Sequence, residues 1–255
     1  MSEPLGDLAL AEELAGEAGR LLMERFGGPV EGLASKSSGT DMVSEADREA
    51  ERAVVEGLAA ARPEDGVLGE EGASSPGSSG RRWIVDPLDG TTNFLYGIPA
   101  WSVSIALEDD RGLLAAVVHA PALRETYTAE RGGGCRLNGA AVRVRDAAPL
   151  DAALVATGFA YGADQRAAQA DTLRRVLPRV RDVRRVGSAA LDLAWLAAGR
   201  LDGYWEFGIS RWDWAGGALL VTEAGGAVRE LDSAPAGLVA ATPELMEPLA
   251  ALVAA

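Results

Sequence analysis

The 255-residue chain holds one cysteine, one histidine and one lysine. A lone Cys135 cannot close an internal disulfide, and a lone His119 cannot supply the paired ligands of the usual zinc sites. A cysteine phosphatase would carry an arginine where Ala141 stands, so Cys135 reads as a small buried apolar residue. A Ser-His-Asp relay would have to use His119, which closes the apolar run Ala115-Ala116-Val117-Val118 and reads as a strand-end residue. No apolar run approaches the roughly 18 residues of a membrane span, and Met1-Ser2-Glu3-Pro4 is not a basic segment leading into one, so a cytoplasmic protein is expected. Basic residues are also scarce. Against 38 Asp plus Glu there are 24 Lys plus Arg, and a net charge of -14 argues against direct contact with nucleic acid or an anionic membrane.

What is present suffices for a globular fold, since 48% hydrophobic residues can bury one large core or two modest lobes. Leu8, Ala11, Leu14, Ala15, Ala18, Leu21 and Leu22 recur at helical spacing over 5–26 and stop at Gly27-Gly28-Pro29. A second helix is expected from Ser44 to Pro63, then a short strand at Val67-Leu68-Gly69 and a mobile Ser/Gly/Pro-rich loop over 73–80. Strands at 101–107, 113–119 and 125–130, with a hairpin turning at Asn138-Gly139, give this half an antiparallel or mixed sheet. From about residue 150 the period changes. Strands at 152–157, 182–186, 202–207, 226–231 and 237–241 are interleaved with helices at 164–177, 188–199, 213–225 and from 243. The pattern predicts an N-terminal α+β lobe (1–149) and a C-terminal α/β lobe (150–255), with a cleft between them as the natural place for a site.

The most informative segment runs from Trp83 through Ile84-Val85-Asp86-Pro87-Leu88-Asp89-Gly90-Thr91-Thr92-Asn93 to Phe94. It reads as an apolar strand ended by Pro87, two carboxylates folded toward one point, and a Gly-Thr-Thr helix start whose N–H groups can hold phosphate oxygens. Alone, Asp-Pro-Leu-Asp-Gly is also good turn chemistry. Gly69-Glu70-Glu71 closes a strand that would set a third carboxylate beside these two if the strands pair, and Asp213 in Trp212-Asp213-Trp214 offers a fourth at a helix start, where a plain N-cap is its bland alternative. With the aspartyl-nucleophile pattern Asp-x-Asp absent, metal-activated water is the surviving route to phosphate ester cleavage.

These segments together resemble the inositol monophosphatase family of magnesium-dependent, lithium-sensitive sugar phosphatases. Asp86 through Asn93 is similar to that family's Asp-Pro-[Ile/Leu]-Asp-Gly-Thr-[Thr/Ser]-Asn motif at every position, and Trp212 to Gly226 resembles its C-terminal motif; Gly69-Glu70-Glu71 and Gly187-Ser188-Ala189-Ala190-Leu191-Asp192-Leu193 fall in the right order. The resemblance implies a layered αβαβα sandwich and a homodimer. It implies one Mg²⁺ on Glu70, Asp86 and the Leu88 carbonyl and a second on Asp86, Asp89 and Asp213, with two or three ions per site, a set of hard oxygen donors suited to Mg²⁺. Glu70, preferred over Glu71 by its place in the motif, and Thr91 would orient the attacking water, with Asp47 accepting from Thr91; otherwise Ser44-Glu45-Ala46-Asp47 is a capping pattern.

Phosphate and sugar contacts are implied at Leu88, Asp89, Gly90, Thr91, Gly187, Ser188, Ala189, Glu206 and Asp213. Lys36 matches a family lysine near the metals, though an exposed loop lysine is its simple alternative. Trp214 departs from the pattern and is expected to narrow the entrance. The implied activity is hydrolysis of inositol 1-phosphate to inositol and phosphate. Related phosphatases of fructose 1,6-bisphosphate, histidinol phosphate, 3′-phosphoadenosine 5′-phosphate or NADP, or a protein-contact role in a transcription complex, stay open on fold analogy.

Overall fold

The computed structural model describes residues 5–28, 34–35, 42–43, 45–146 and 148–254, with backbone alone at 34–35 and 42–43. Helices α1 (Asp7–Arg25) and α2 (Glu45–Ala61) flank a two-strand ribbon, β1 (Ala34–Ser35) and β2 (Met42–Val43). An eight-stranded sheet follows, built from β3 (Gly66–Gly69), β4 (Ser74–Ser75), β5 (Arg82–Asp89), β6 (Ser102–Asp109), β7 (Gly112–Ala120), β8 (Glu125–Glu130), β9 (Gly134–Leu137) and β10 (Ala140–Val142), with the one-turn helix α3 (Thr91–Leu95) after β5. Its order is β10-β9-β8-β7-β6-β5-β3-β4, and only the β3–β5 pair is parallel.

The second sheet takes β11 (Leu154–Thr157), β12 (Asp182–Arg184), β13 (Gly203–Phe207), β14 (Ala227–Leu231) and β15 (Gly237–Ala241) in the order β12-β11-β13-β15-β14. Four helices accompany it: α4 (Ala163–Val176), α5 (Ala189–Ala197), α6 (Arg211–Glu223) and α7 (Pro243–Ala254).

Strand alternation sorts the side chains into three cores. Trp83, Val85, Val103, Ile105, Leu107 and Val117 face α1 and α2. Ile84, Ala106, Ala116 and Val118 face the other way, onto α5 and α6, whose far sides meet Ala156, Tyr204, Leu238 and Ala240 of the second sheet. Val155, Trp205, Val239 and Ala241 turn outward onto α7 and Val176 of α4. The layers therefore run helix, sheet, helix, sheet, helix. This is the αβαβα sandwich. The helices α5 and α6 read as nearly all apolar because both of their faces are covered, which is what a middle layer requires.

Several expectations are corrected. Pro87 does not end its strand. β5 continues to Asp89 across a register shift, because a proline can sit at a bulge where no ladder bond is needed. Nor is the segment 73–80 loose: Ser74–Ser75 pairs with β3, and the N–H groups of Ser78 and Ser79 both donate to the Glu64 carbonyl. The strand expected at 152–157 begins at Leu154 after a 3-10 turn over Leu150–Ala152, and the helix expected at 213 starts earlier, at Arg211.

Candidate active site

Asp86 and Asp89 owe their common direction to one surplus residue. Asp86 lies opposite Ser104 and Asp89 opposite Ser102, so β5 spends two residues where β6 spends one. In an unbroken strand positions three apart face opposite ways; the bulge shifts the alternation by one, sending Leu88 into the α1/α2 core while Asp89 joins Asp86 on the α5/α6 side. The Leu88 N–H, turned back by the bulge, donates to Asp86 Oδ1 at 3.0 Å. Parallel pairing of β3 with β5 puts Gly69 beside Val85, and the Glu70 N–H donates to the Val85 carbonyl at 3.1 Å. Glu70 thereby arrives next to Asp86, close enough to hydrogen-bond with it.

The second half of the chain closes the site. Ser188, N-cap of α5, donates its hydroxyl to Asp89 Oδ2 at 2.6 Å, and the Ala190 N–H donates to the same oxygen at 2.7 Å. Asp213 sits in the first turn of α6, where its Oδ2 accepts from the Ser210 N–H at 2.6 Å in a capping box. It is the third residue of a cap as well as a cleft acid, so neither description excludes the other. Both helices aim their N-termini, with their partial positive charge, at the cleft.

Crowding of acids marks the electrostatics. Burial holds the Asp86 carboxyl well above the usual range, with Glu70, Asp89 and Asp213 adding to it in that order. Asp213 is raised by burial, then by Asp89 and Glu70. Asp89 is pushed only to about 6, since the Ser188 and Ala190 donors oppose its burial. Four acids within reach of one another's charge resist ionising together, and a cation would relieve them.

Behind them, Thr91 Oγ1 is 3.2 Å from Asp47 Oδ1 and 3.1 Å from the Leu88 carbonyl oxygen. Asp47 is buried on α2, and Thr91 is fixed by Phe94 of its own helical turn, which packs edge-on against Trp101 with ring centres 5.2 Å apart and leans on Phe26. Asn93 ties the same turn to the second half by donating to the Ala100 and Val186 carbonyls. Glu51, one helical turn beyond Asp47, accepts from the N–H groups of Glu71 and Ala73 and so fastens the loop that presents Glu70. A side chain at Gly69 would place its Cβ 2.3 Å from Glu51 Oε2.

The cleft has a volume of about 430 Å³ and these acids line it. In the same lining Glu206 accepts from the Tyr204 hydroxyl at 2.7 Å and stands where a side chain on Gly158 would go: a Cβ there would lie 2.0 Å from Glu206 Oε2. Burial lifts the Glu206 carboxyl to about 7. Gly187, Ser188, Ala189, Asp192 and Arg185 share this lining.

Glu70, Asp86, Leu88, Asp89, Gly90, Thr91, Gly187, Ser188, Ala189, Glu206 and Asp213 all line this cleft, and Asp47 touches it through Thr91. Lys36 lies outside the described residues. Glu71 turns its N–H to Glu51 and does not line the cleft. Trp214 does not narrow the entrance. It is buried in the middle layer with the Arg211 guanidinium 4.1 Å above its ring, and Trp212 is the tryptophan at the cleft. His119 is a β7 residue hydrogen-bonded to Thr126, and Cys135 is buried with its thiol pushed up to about 12, as sequence suggested for both. Glu51, Asp192 and Gly158 were missed. Glu51 was legible as a charge on the apolar face shared by Ala50, Val54 and Leu58, and Asp192 as the one charge in Ala189-Ala190-Leu191-Asp192-Leu193-Ala194.

The donor set suits Mg²⁺ in kind: carboxylates and a peptide carbonyl, all hard oxygens, with room for water and a phosphate. Among the described residues, no three acids close tightly enough to clasp an ion unaided. Such an open set also suits Mg²⁺, which keeps several waters and binds through few carboxylates plus substrate phosphate. Among the described residues no helix is long and apolar enough to cross a membrane.

Comparison with known proteins gives a consistent answer. An inositol-1-monophosphatase of Rhizobium meliloti (strain 1021) is 49% identical over 212 residues, 82% of this chain and 80% of the relative. A Nus factor SuhB of Pseudomonas aeruginosa is 46% identical over 200 residues, 74% of this chain and 72% of that one. The crystal structure of extragenic suppressor protein suhB from Bartonella henselae superposes with a TM-score of 0.90 at 39% identity, covering 96% of this chain and 97% of that one. The profile of the inositol monophosphatase family matches residues 7–254, and with two cooperating sheets, four gathered acids and these relatives, the chain belongs to the inositol monophosphatase family, phosphatases of small phosphorylated substrates.

Proposed function

We propose that the protein is a Mg²⁺-dependent phosphomonoesterase that hydrolyses inositol 1-phosphate to inositol and phosphate. The observation that carries this reading is the gathering of Glu70, Asp86, Asp89 and Asp213, two of them buried and two half-buried, in the lining of one cleft that also offers a pinned carboxyl, Glu206. Asp86, Asp89, Asp213, Glu70 and the Leu88 carbonyl would hold two or three Mg²⁺. Bound there, Mg²⁺ would neutralise the phosphate and activate water for in-line attack.

The chain's own groups do the positioning. Glu70 and the Thr91 hydroxyl orient the attacking water, and Asp47 takes the Thr91 proton's hydrogen bond, fixing that hydroxyl's direction. The N–H groups of Gly90 and Thr91 cradle the phosphate. Gly187, Ser188, Ala189 and Glu206 receive the ring, Glu206 as acceptor for ring hydroxyls. Lys36 would add a cation near the phosphate. A homodimer and cytoplasmic residence accompany this reading.

A panel of inositol, sugar and nucleotide monophosphates tests it. Phosphate release from inositol 1-phosphate should vanish with chelator, return with Mg²⁺, and fall with millimolar Li⁺ beyond the effect of equal NaCl. Release only from fructose 1,6-bisphosphate, histidinol phosphate or a nucleotide would move the substrate elsewhere. The relatives named Nus factor SuhB give the alternative its specific support. Silence across the panel with every divalent metal would leave a protein-contact role in transcription in place of catalysis.

A further inference from the structure

Asp192 is not needed for anything described so far. It lies on the first turn of α5, 1% exposed, in the lining of the cleft between the acid group and Glu206. Its backbone N–H donates to the Ser188 carbonyl as an ordinary helix bond, but its carboxyl accepts no hydrogen bond among the described residues, and Oδ1 is fully enclosed without a partner. Its neighbours differ in this respect. Asp89 has two donors, Asp213 has the Ser210 N–H, and Glu206 has the Tyr204 hydroxyl.

An acid kept buried without a donor is costly, and such groups persist in native proteins where something outside the fold completes them. The chemistry of the surroundings limits what that can be. Glu206 and Asp89 are near enough to act on Asp192 by charge, so a second anionic group of the substrate is disfavoured there. Arg185, the sole cation among the described lining residues, also acts on Asp192, yet it is exposed and makes no ion pair with it. A neutral hydrogen-bond donor fits best. On a polyol phosphate held by its phosphate at the acid group, the groups that reach this wall are ring hydroxyls.

We propose that Asp192 is a specificity-determining residue: with Glu206 it forms a two-carboxyl wall that accepts hydroxyls from the unphosphorylated side of the polyol. This rests on the phosphatase reading above, and it adds a second acceptor to that site. Glu206 is fixed in advance by Tyr204 and by the missing side chain of Gly158, whereas Asp192, whose Oδ1 is enclosed, presents its other oxygen, Oδ2, to the cleft without a donor of its own.

The test compares inositol 1-phosphate with phenyl phosphate, which carries no hydroxyl, in wild type and Asp192→Asn, with Mg²⁺ throughout. Substitution should lower kcat/KM for inositol 1-phosphate by about ten-fold, mainly through KM, and leave phenyl phosphate within about two-fold. An equal fall for both substrates, or none for either, overturns the assignment. Should Asp192→Asn fail to fold, singly deoxygenated inositol 1-phosphates with the wild type decide. Two separate hydroxyls whose removal each costs about ten-fold support the double wall, and one such hydroxyl, satisfied by Glu206 alone, refutes it. The parent reading is judged separately, by wild-type turnover of inositol 1-phosphate itself; wild type that hydrolyses phenyl phosphate but not inositol 1-phosphate overturns both.

Discussion

Asp109 and Asp89 close two strands of one sheet and live opposite lives. At the far end of β6, Asp109 takes two hydrogen bonds from the Arg131 guanidinium and one from the Arg111 N–H, and its carboxyl is drawn down to about 2. Asp89, at the cleft end of β5, meets a hydroxyl and a peptide N–H but no cation, and burial pushes it to about 6. The protein has arginines enough to neutralise its acids where the sheet meets solvent, at Asp109, Glu108 and Glu125. Among the described residues no arginine pairs with Asp86, Asp89 or Asp213 in the cleft. Three acids left without a cation of that kind suit a cation that comes from outside.

The strongest way to break the contrast is to remove a cleft charge. Loss of groups merely supporting a metal ligand costs 10–100-fold, so Asp89→Asn or Asp213→Asn, as ligands themselves, should lower turnover by about 10²-fold or more with the circular dichroism spectrum retained. Near wild-type turnover at saturating Mg²⁺ would make these acids structural. Gly158→Ala comes next. Its Cβ would occupy the space of the Glu206 carboxyl, so KM for inositol 1-phosphate should rise by about ten-fold, the scale of one charged hydrogen bond, with kcat changed less.

The pH dependence of stability sharpens the comparison, because the two kinds of acid act with opposite sign. Asp89 and Glu206 have folded values, about 6 and about 7, above their ordinary 3.8 and 4.5, so between those limits the folded state holds the extra protons and metal-free protein loses stability as pH rises. For Glu206 the loss is on the order of 3 kcal/mol. Asp109, depressed, contributes stability that is present above its ordinary 3.8 and lost as pH falls toward 2. Scanning calorimetry in chelator should therefore give a lower Tm at pH 8 than at pH 5, with Mg²⁺ restoring most of the difference at pH 8. A Tm in chelator that does not fall between pH 5 and pH 8 would count against a cation-demanding cleft. The smallest effect is expected from Asp109→Asn, which should leave kcat/KM unchanged and move Tm by only about 2 °C, since surface ion pairs contribute little. A loss of activity there would show that the two ends of the sheet are coupled.

Much of this site could be read in the sequence because its acids sit in short, local motifs. Asp86 and Asp89 belong to one strand, Glu70 to the turn directly after the strand paired with it, and Asp213 to a helix start, each marked by neighbouring glycine or serine chemistry. Less visible was whatever depends on partners far along the chain. The bulge at Pro87 looked like a strand end because a single sequence does not show the register of β6. The serine-rich segment 73–80 looked loose because its ties run to Glu51 and Glu64 on other elements. Trp214 looked like an entrance residue because its bulk was visible and its Arg211 lid was not. Gly158 carried no signal by itself, since its meaning lies in a carboxyl 48 positions away.

The surplus residue in β5 makes parity the property on which the chemistry turns. Every second position of a strand shares a side, so the three-residue step from Asp86 to Asp89 returns to one side only because a surplus residue is bulged out; drawn flat into a regular ladder with β6, the same residues would turn Asp89 into the grease between the sheet and α1. No acid would be missing from its sequence, and a count of motif residues would find nothing wrong. Such a flattening is an odd-numbered error in a structure that counts in twos: it would favour the ladder and abolish the site.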